Sequence, residues 1–132
     1  MAAPANLATF HILAKGVDIG QTLLEWADES MGVYGGRFMP NDRYAEVKPV
    51  IKLYAEAVAR GDGKALDHAK FEEYTRQVSA LSLTLVRPDG QPVAATQVTI
   101  TDLIEEINEA EAEVFIDSPG LLDRYRGGRR AF

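Results

Sequence analysis

The chain contains no cysteine among its 132 residues, and this absence excludes several kinds of protein. A disulfide framework, a thiol nucleophile and a zinc or iron–sulfur site with cysteine ligands all require that side chain. Only two histidines are present, so a metal centre built from protein side chains would depend mainly on carboxylates. We therefore expect no cofactor.

Long apolar runs are also absent. No stretch approaches the roughly 18 uncharged apolar residues that a membrane-spanning helix requires. The segment from Met1 to Ala14 lacks the basic region and the small-residue cleavage site of a secretory signal. We expect no membrane contact and a cytoplasmic location, or a place in a virion if the chain derives from a phage.

Catalytic and nucleotide-binding motifs are missing as well, since the chain contains no Gly-x-Ser-x-Gly, His-Glu-x-x-His, Gly-x-Gly-x-x-Gly or EF-hand pattern. His68 precedes Glu72 by four residues, a helical spacing that could orient an imidazole or supply two metal ligands. His11 lies in an apolar run, where a half-buried structural histidine is expected. We predict a non-enzymatic protein, and an enzyme or small-ligand binder that uses His68 or His11 is the alternative.

Hydrophobic spacing predicts a helix-dominated α+β fold with four to five helices and one antiparallel β-hairpin. Pro49 lies inside one predicted helix, so that helix should kink there or begin at Pro49. The four longer predicted helices span about residues 19–31, 43–60, 64–80 and 103–115.

Two further segments complete this prediction. Residues 7–15 fit either a strand or a short helix that ends at Gly16, and the helical spacing favours the helix. Residues 81–100 contain the clearest β pattern, because alternating leucines precede a Pro-Asp-Gly turn and a return strand rich in β-branched residues.

Residues 32–40 contain three glycines and one proline and predict an irregular loop. Apolar side chains on such a segment are either held in the core or offered to a partner. Tyr34 and Phe38 are therefore candidate contact residues, since large aromatic side chains often dominate interface energetics.

Charge is distributed unevenly along the chain. It has 20 acidic and 14 basic residues and a net charge of -6, and seven of the acids lie between residues 101 and 117, where no base occurs. We predict an acidic helix that binds a basic partner, while a solvated face and pairing with the chain's own basic tail remain open. The candidate partner-binding acids are Glu105, Glu106, Glu109 and Glu113.

Residues 1–125 are expected to form a single globular domain, and residues 126–132 a basic arm. The arm could contact the acidic helix of a second copy or, as the one part of this acidic chain suited to it, nucleic acid. Its candidate partner-binding residues are Arg126, Arg129 and Arg130.

Together these features predict a protein–protein interaction protein, a small subunit or adaptor of a larger bacterial or phage assembly. Its expected partners are other proteins, including copies of itself. The alternative within this class is a soluble inhibitor or immunity protein whose acidic helix blocks a basic partner through charge complementarity.

Overall fold

The structure is a computed structural model that describes residues 9–28, 30–58, 68–95 and 97–116. Within these residues the fold is dominated by a curled antiparallel sheet, so the prediction of a helix-dominated fold is wrong. The strands are β1 (Phe10–Ala14), β2 (Val17–Thr22), β3 (Trp26–Asp28), β4 (Val33–Pro40), β5 (Leu83–Val86), β6 (Pro92–Val93), β7 (Gln97–Leu103) and β8 (Glu109–Phe115). The α-helices are α1 (Lys48–Val58), α2 (His68–Ala80) and α3 (Ile104–Ile107).

The strands follow the order β6-β5-β1-β2-β4-β8-β7 across the sheet, and β3 pairs with β4 beside β2. The chain leaves the sheet after β4, forms α1 and α2, and returns at β5 next to β1. Buried apolar side chains from the strands and from α1 form one core cluster. In the described segments, no helix has the length and apolar character needed to cross a bilayer.

The predicted helices at residues 7–15 and 19–31 are wrong. In β1 the buried residues Phe10, Ile12 and Ala14 alternate with more exposed ones, and a period of two residues is that of a strand. The described part of residues 19–31 contains the end of β2 and all of β3 instead of one helix. Leu24, with a φ of 49°, lies in the gap between these two strands.

The predicted loop at residues 32–40 is strand β4. A Cβ atom on Gly35 would overlap the ring of Trp26, and one on Gly36 would overlap the carboxylate of Glu25. The glycines therefore allow neighbouring side chains to approach the strand closely, which is a recognised role of glycine within a sheet.

The predicted acidic helix at residues 103–115 is also wrong. Only α3 is helical, and Asn108 ends it with a left-handed φ of 60°. Strand β8 follows, in which glutamates on one face alternate with buried residues on the other. These buried residues are Ala110, Ala112 and Val114.

Predictions for the middle of the chain agree better with the structure. A 3-10 helix over Asp42–Glu46 precedes α1, which begins one residue before Pro49. The described part of the predicted helix at residues 64–80 is α2.

The predicted hairpin at residues 81–100 is only partly present. Gly90 N–H donates to the Arg87 carbonyl at 2.9 Å, which closes the predicted turn between β5 and β6. The rest of the predicted return strand belongs to β7, which pairs with β8 and not with β5. The predicted basic arm, residues 126–132, lies outside the described residues.

Candidate interaction surface

The acidic residues that the sequence placed on one helix lie on two elements with different surroundings. Glu105 and Glu106 belong to α3, whereas Glu109, Glu111 and Glu113 occupy alternate positions of β8. Because alternate residues of a strand point to the same face, the three β8 glutamates lie on the outer face of the sheet, opposite the core.

The glutamates of α3 are paired within the molecule. The Nζ atoms of Lys48 and Lys52 each lie 2.9 Å from a carboxylate oxygen of Glu105, and Lys52 Nζ lies 3.6 Å from Glu106. Hydrogen bonds from Lys48 and Lys52 lower the pKa of the Glu105 carboxyl from 4.5 to about 2. This part of the acidic run therefore joins α3 to α1.

A buried carboxylate lies beneath these ion pairs. The side chain of Asp102 is fully buried, and its Oδ2 atom accepts a hydrogen bond from the Tyr44 hydroxyl at 2.6 Å. Its Oδ1 atom accepts from the Ile104 N–H at 2.9 Å, and Lys48 Nζ lies 3.4 Å from Oδ2. Burial and the hydrogen bond to Asp102 raise the pKa of Tyr44, so the phenol remains a donor. We call Tyr44, Lys48, Lys52, Asp102 and Glu105 the Asp102 network.

The glutamates of β8 have far fewer counter-ions. Glu109 lies 3.4 Å from Arg37 Nη2, and both side chains are more than half exposed, so this pair contributes little to stability. Glu111 is directly opposite Arg37 in the register of β4 and β8. Within the described residues, neither Glu111 nor Glu113 forms an ion pair.

Trp26 lies beside these unpaired glutamates. In the strand register Trp26 is opposite Gly35, and Gly35 is opposite Glu113, so the three residues form one row on the outer face. The Trp26 ring covers Gly35, and no side chain from β4 separates the ring from Glu113. We call Trp26, Arg37, Glu109, Glu111 and Glu113 the acidic face.

The two predicted aromatic contact residues lie on the opposite side of the sheet. Tyr34 is 0% exposed and Phe38 is 1% exposed, so both belong to the core. The Phe38 ring packs edge-on against Tyr44, with ring centroids 5.3 Å apart. Neither side chain is accessible to a partner. Predicted contacts through Arg126, Arg129 and Arg130 fall outside the described residues.

The two histidines belong to different elements, His11 to β1 and His68 to α2. His11 Nδ1 lies 2.7 Å from Asp18 Oδ2. Asp18 Oδ1 accepts from the N–H of Gly20 and from the side-chain amide of Asn41. His68 is exposed at the start of α2. Across the described part of the chain, no group of three or more histidine or acidic side chains is arranged to hold a metal ion.

Sequence reasoning missed the lysines that neutralise α3. Lys48 and Lys52 are four residues apart and therefore share one face of α1, a spacing that was visible in the sequence. The strict Glu-Ala-Glu-Ala-Glu alternation from Glu109 to Glu113 likewise indicates a strand with one exposed face. Trp26 carried no comparable signal, because its position depends on the register between β3 and β4.

Comparison with protein-family models, with curated proteins and with solved structures gives no match for this chain. Its function must therefore be inferred from its own residues and their arrangement.

Proposed function

We propose that this chain is a non-enzymatic protein–protein interaction protein, a cytoplasmic or virion-associated subunit or adaptor of a larger assembly, whose acidic face binds a basic partner. The observation that supports this proposal is the row that places Trp26 beside Glu113 with only a glycine between them. Glu113 and its neighbour Glu111 have no counter-ion among the described residues, so a partner with lysine or arginine side chains would supply the missing charge.

The row has the chemistry of a site for a cationic side chain. A lysine or arginine that reaches Glu113 would pass close to the Trp26 ring, where a cation–π interaction adds about 0.5–1 kcal/mol at an exposed site. Arg37 occupies the adjacent position on β4 and is opposite Glu111. Its charge would repel a cation that approached one row out of place, so it would contribute to register and specificity.

An apolar area adjoins the acidic face. A groove of about 300 Å³ lies between β4 and α3, and its lining residues include Met39 and Ile104 as well as Arg37 and Glu109 of the acidic face. Met39 is 38% exposed, and Ile107 on α3 is 58% exposed. Apolar side chains next to a charged rim are typical of protein interfaces, so the partner is expected to carry an apolar side chain beside its basic ones.

The glutamates of α3 contribute less to this proposed surface. Glu105 and Glu106 already contact Lys48 and Lys52, and a partner would have to compete with those contacts. The proposed partner-binding acids are therefore Glu109, Glu111 and Glu113.

The test uses three tagged baits in a lysate of the native host: the unmodified chain, Glu111→Lys/Glu113→Lys, and Glu46→Lys/Glu72→Lys. The two double variants change the net charge equally, and the control residues are exposed and belong to the 3-10 helix and to α2 instead of the strands of the acidic face. We expect a basic partner that is recovered with the unmodified and control baits and lost with the first variant. Recovery of identical partners with all three baits, or no partner with the unmodified chain, would contradict the proposal.

A further inference from the structure

The curl of the sheet brings two strands together without joining them. Cα atoms of β5 and β7 approach within 8 Å, yet no backbone pairing links the two strands. A groove of about 610 Å³ lies at this seam, between α2 on one side and the segments Ser82–Leu83 and Gln97–Thr99 on the other. Its volume is within the range of about 300–1,000 Å³ that is usual for small-molecule sites. We call it the seam groove.

Backbone polar groups of β7 face this groove. The Ile116 N–H donates to the Gly32 carbonyl, so even-numbered residues of β8 direct their backbone groups toward β4. Alternation then makes the odd-numbered residues of β7 form the hydrogen bonds to β8. Val98 is opposite Val114 in the register but directs its N–H and C=O away from β8. The contact of Lys52 Nζ with the Asp102 carbonyl, at 3.4 Å, agrees with this alternation.

On the opposite side of the seam, β5 also directs backbone N–H and C=O groups into the seam groove. The Arg87 N–H donates to the Gln91 carbonyl, so odd-numbered positions along β5 direct their backbone groups toward β6. However, β6 reaches only Leu85 and Val86. The N–H and C=O of Leu83 therefore face the seam groove, where no described strand pairs with them.

The described side chains that line the seam groove are uncharged. None of these described lining residues is acidic, basic or histidine, and Phe71 and Tyr74 supply an aromatic wall. The hydroxyls of Ser79 and Ser82 have no hydrogen-bond partner in the described part of the molecule. Ser82 also has a left-handed φ of 50°, and strained backbone of this kind is often found where a site presents a side chain.

The chemistry of the described lining indicates the class of occupant. An ionic ligand would find no counter-charge on the lining side chains that the structure describes, whereas the aromatic wall and the serine hydroxyls suit a neutral ligand with hydroxyl groups.

We propose that the seam groove binds an uncharged, hydroxyl-rich small molecule such as a monosaccharide unit. Its hydroxyl groups would hydrogen-bond to the backbone groups of Leu83 and Val98 and to the hydroxyls of Ser79 and Ser82. The less polar face of its ring would pack against Phe71 and Tyr74. This site is separate from the acidic face and does not depend on the function proposed for it.

The test is an NMR titration of the full ¹⁵N-labelled chain with glucose, galactose and N-acetylglucosamine, and with the charged analogues glucuronate and glucosamine. We expect at least one neutral sugar to shift the amide signals of Leu83 and Val98 more strongly than its charged analogue does. Ser79→Ala/Ser82→Gly should weaken that binding about tenfold, since each hydrogen bond contributes about 0.5–1.5 kcal/mol. The glycine also accepts the left-handed backbone, so this variant should fold.

The control variant is Thr101→Val, which changes a hydroxyl on β7 outside the seam groove and should leave the affinity unchanged. Absence of shifts at Leu83 and Val98 with every neutral sugar would overturn the proposal, as would equal affinity in the Ser79/Ser82 variant. A peptide of alanine and threonine with blocked termini provides the last comparison. Shifts with that peptide alone would assign the groove to strand addition and would also overturn the proposal.

Discussion

The glutamates of α3 and those of β8 come from one uninterrupted acidic run, but they have opposite roles in the structure. Glu105 bridges two lysines of α1, whereas Glu111 and Glu113 face outward without a counter-ion among the described residues. The difference arises because α1 packs against β7 close to where α3 begins, while Arg37 is the one base that the described neighbouring strands of β8 offer. A run of like charge in a sequence therefore does not define one surface, since the element across from each residue decides its role.

The largest expected effect is a loss of stability on changing Asp102, the buried centre of the Asp102 network. The same kind of change on the exposed acidic face should have little effect. Asp102→Ala would leave the Tyr44 hydroxyl buried without its acceptor and would remove a neighbour of Lys48. We expect a loss of about 3 kcal/mol in the free energy of unfolding, measured by urea denaturation. Glu111→Ala is the matched change on the acidic face and should stay within about 0.5 kcal/mol. Equal losses in the two variants would contradict the contrast between the regions.

An intermediate effect is expected at the glycine that lets Trp26 approach Glu113. Gly35→Ala places a methyl group where the Trp26 ring lies, and overpacking of this kind costs about 1–3 kcal/mol. The chain has one tryptophan, so its fluorescence reports on this ring alone. We expect reduced stability and a shifted emission maximum. Unchanged emission would show that the ring does not cover Gly35.

The smallest effect concerns acid titration of α3. The pKa of Glu105 is about 2 in the folded chain and 4.5 without its neighbours, so its stabilising contribution is present above pH 4.5 and is lost as the pH falls toward 2. Lys48→Met/Lys52→Met keeps the apolar stems of both side chains and removes their charges. Carboxyl NMR should then show the pKa of Glu105 rising toward 4.5. A value that stays near 2 would exclude the lysines as its cause.

The described part of α2 agrees with the predicted helix, and α1 agrees with one of the two alternatives for its segment, a start at Pro49, because these signals are local. Pro49 suits the first turn of a helix, and the apolar spacing of α2 is that of a helix packed on one side. The prediction from the sequence was wrong at β8, because alanine and glutamate favour a helix in isolation. Pairing with β4 and β7 on both edges overrides that preference.

The Asp102 network and the acidic face were harder to predict than the helices. Lys48 and Asp102 are far apart in the sequence, and no local pattern indicates that they meet. The row of Trp26, Gly35 and Glu113 likewise depends on three strands in a particular register. The glycines of residues 32–40 suggested a flexible loop. Their packing role has no local signal, because the Trp26 ring that occupies the space beside Gly35 comes from a different strand.

The position of β8 between β4 and β7 has a consequence for the order of folding. β1, β2 and β4 follow one another closely in the chain and pair as neighbours, so they can assemble early during synthesis. The second edge of β4 is covered by β8, which leaves the ribosome only after both long helices and three further strands. Until then that edge offers unpaired backbone groups to any other nascent chain. A pause in translation before β8 would lengthen this exposure, and chaperone binding would be most useful at that stage.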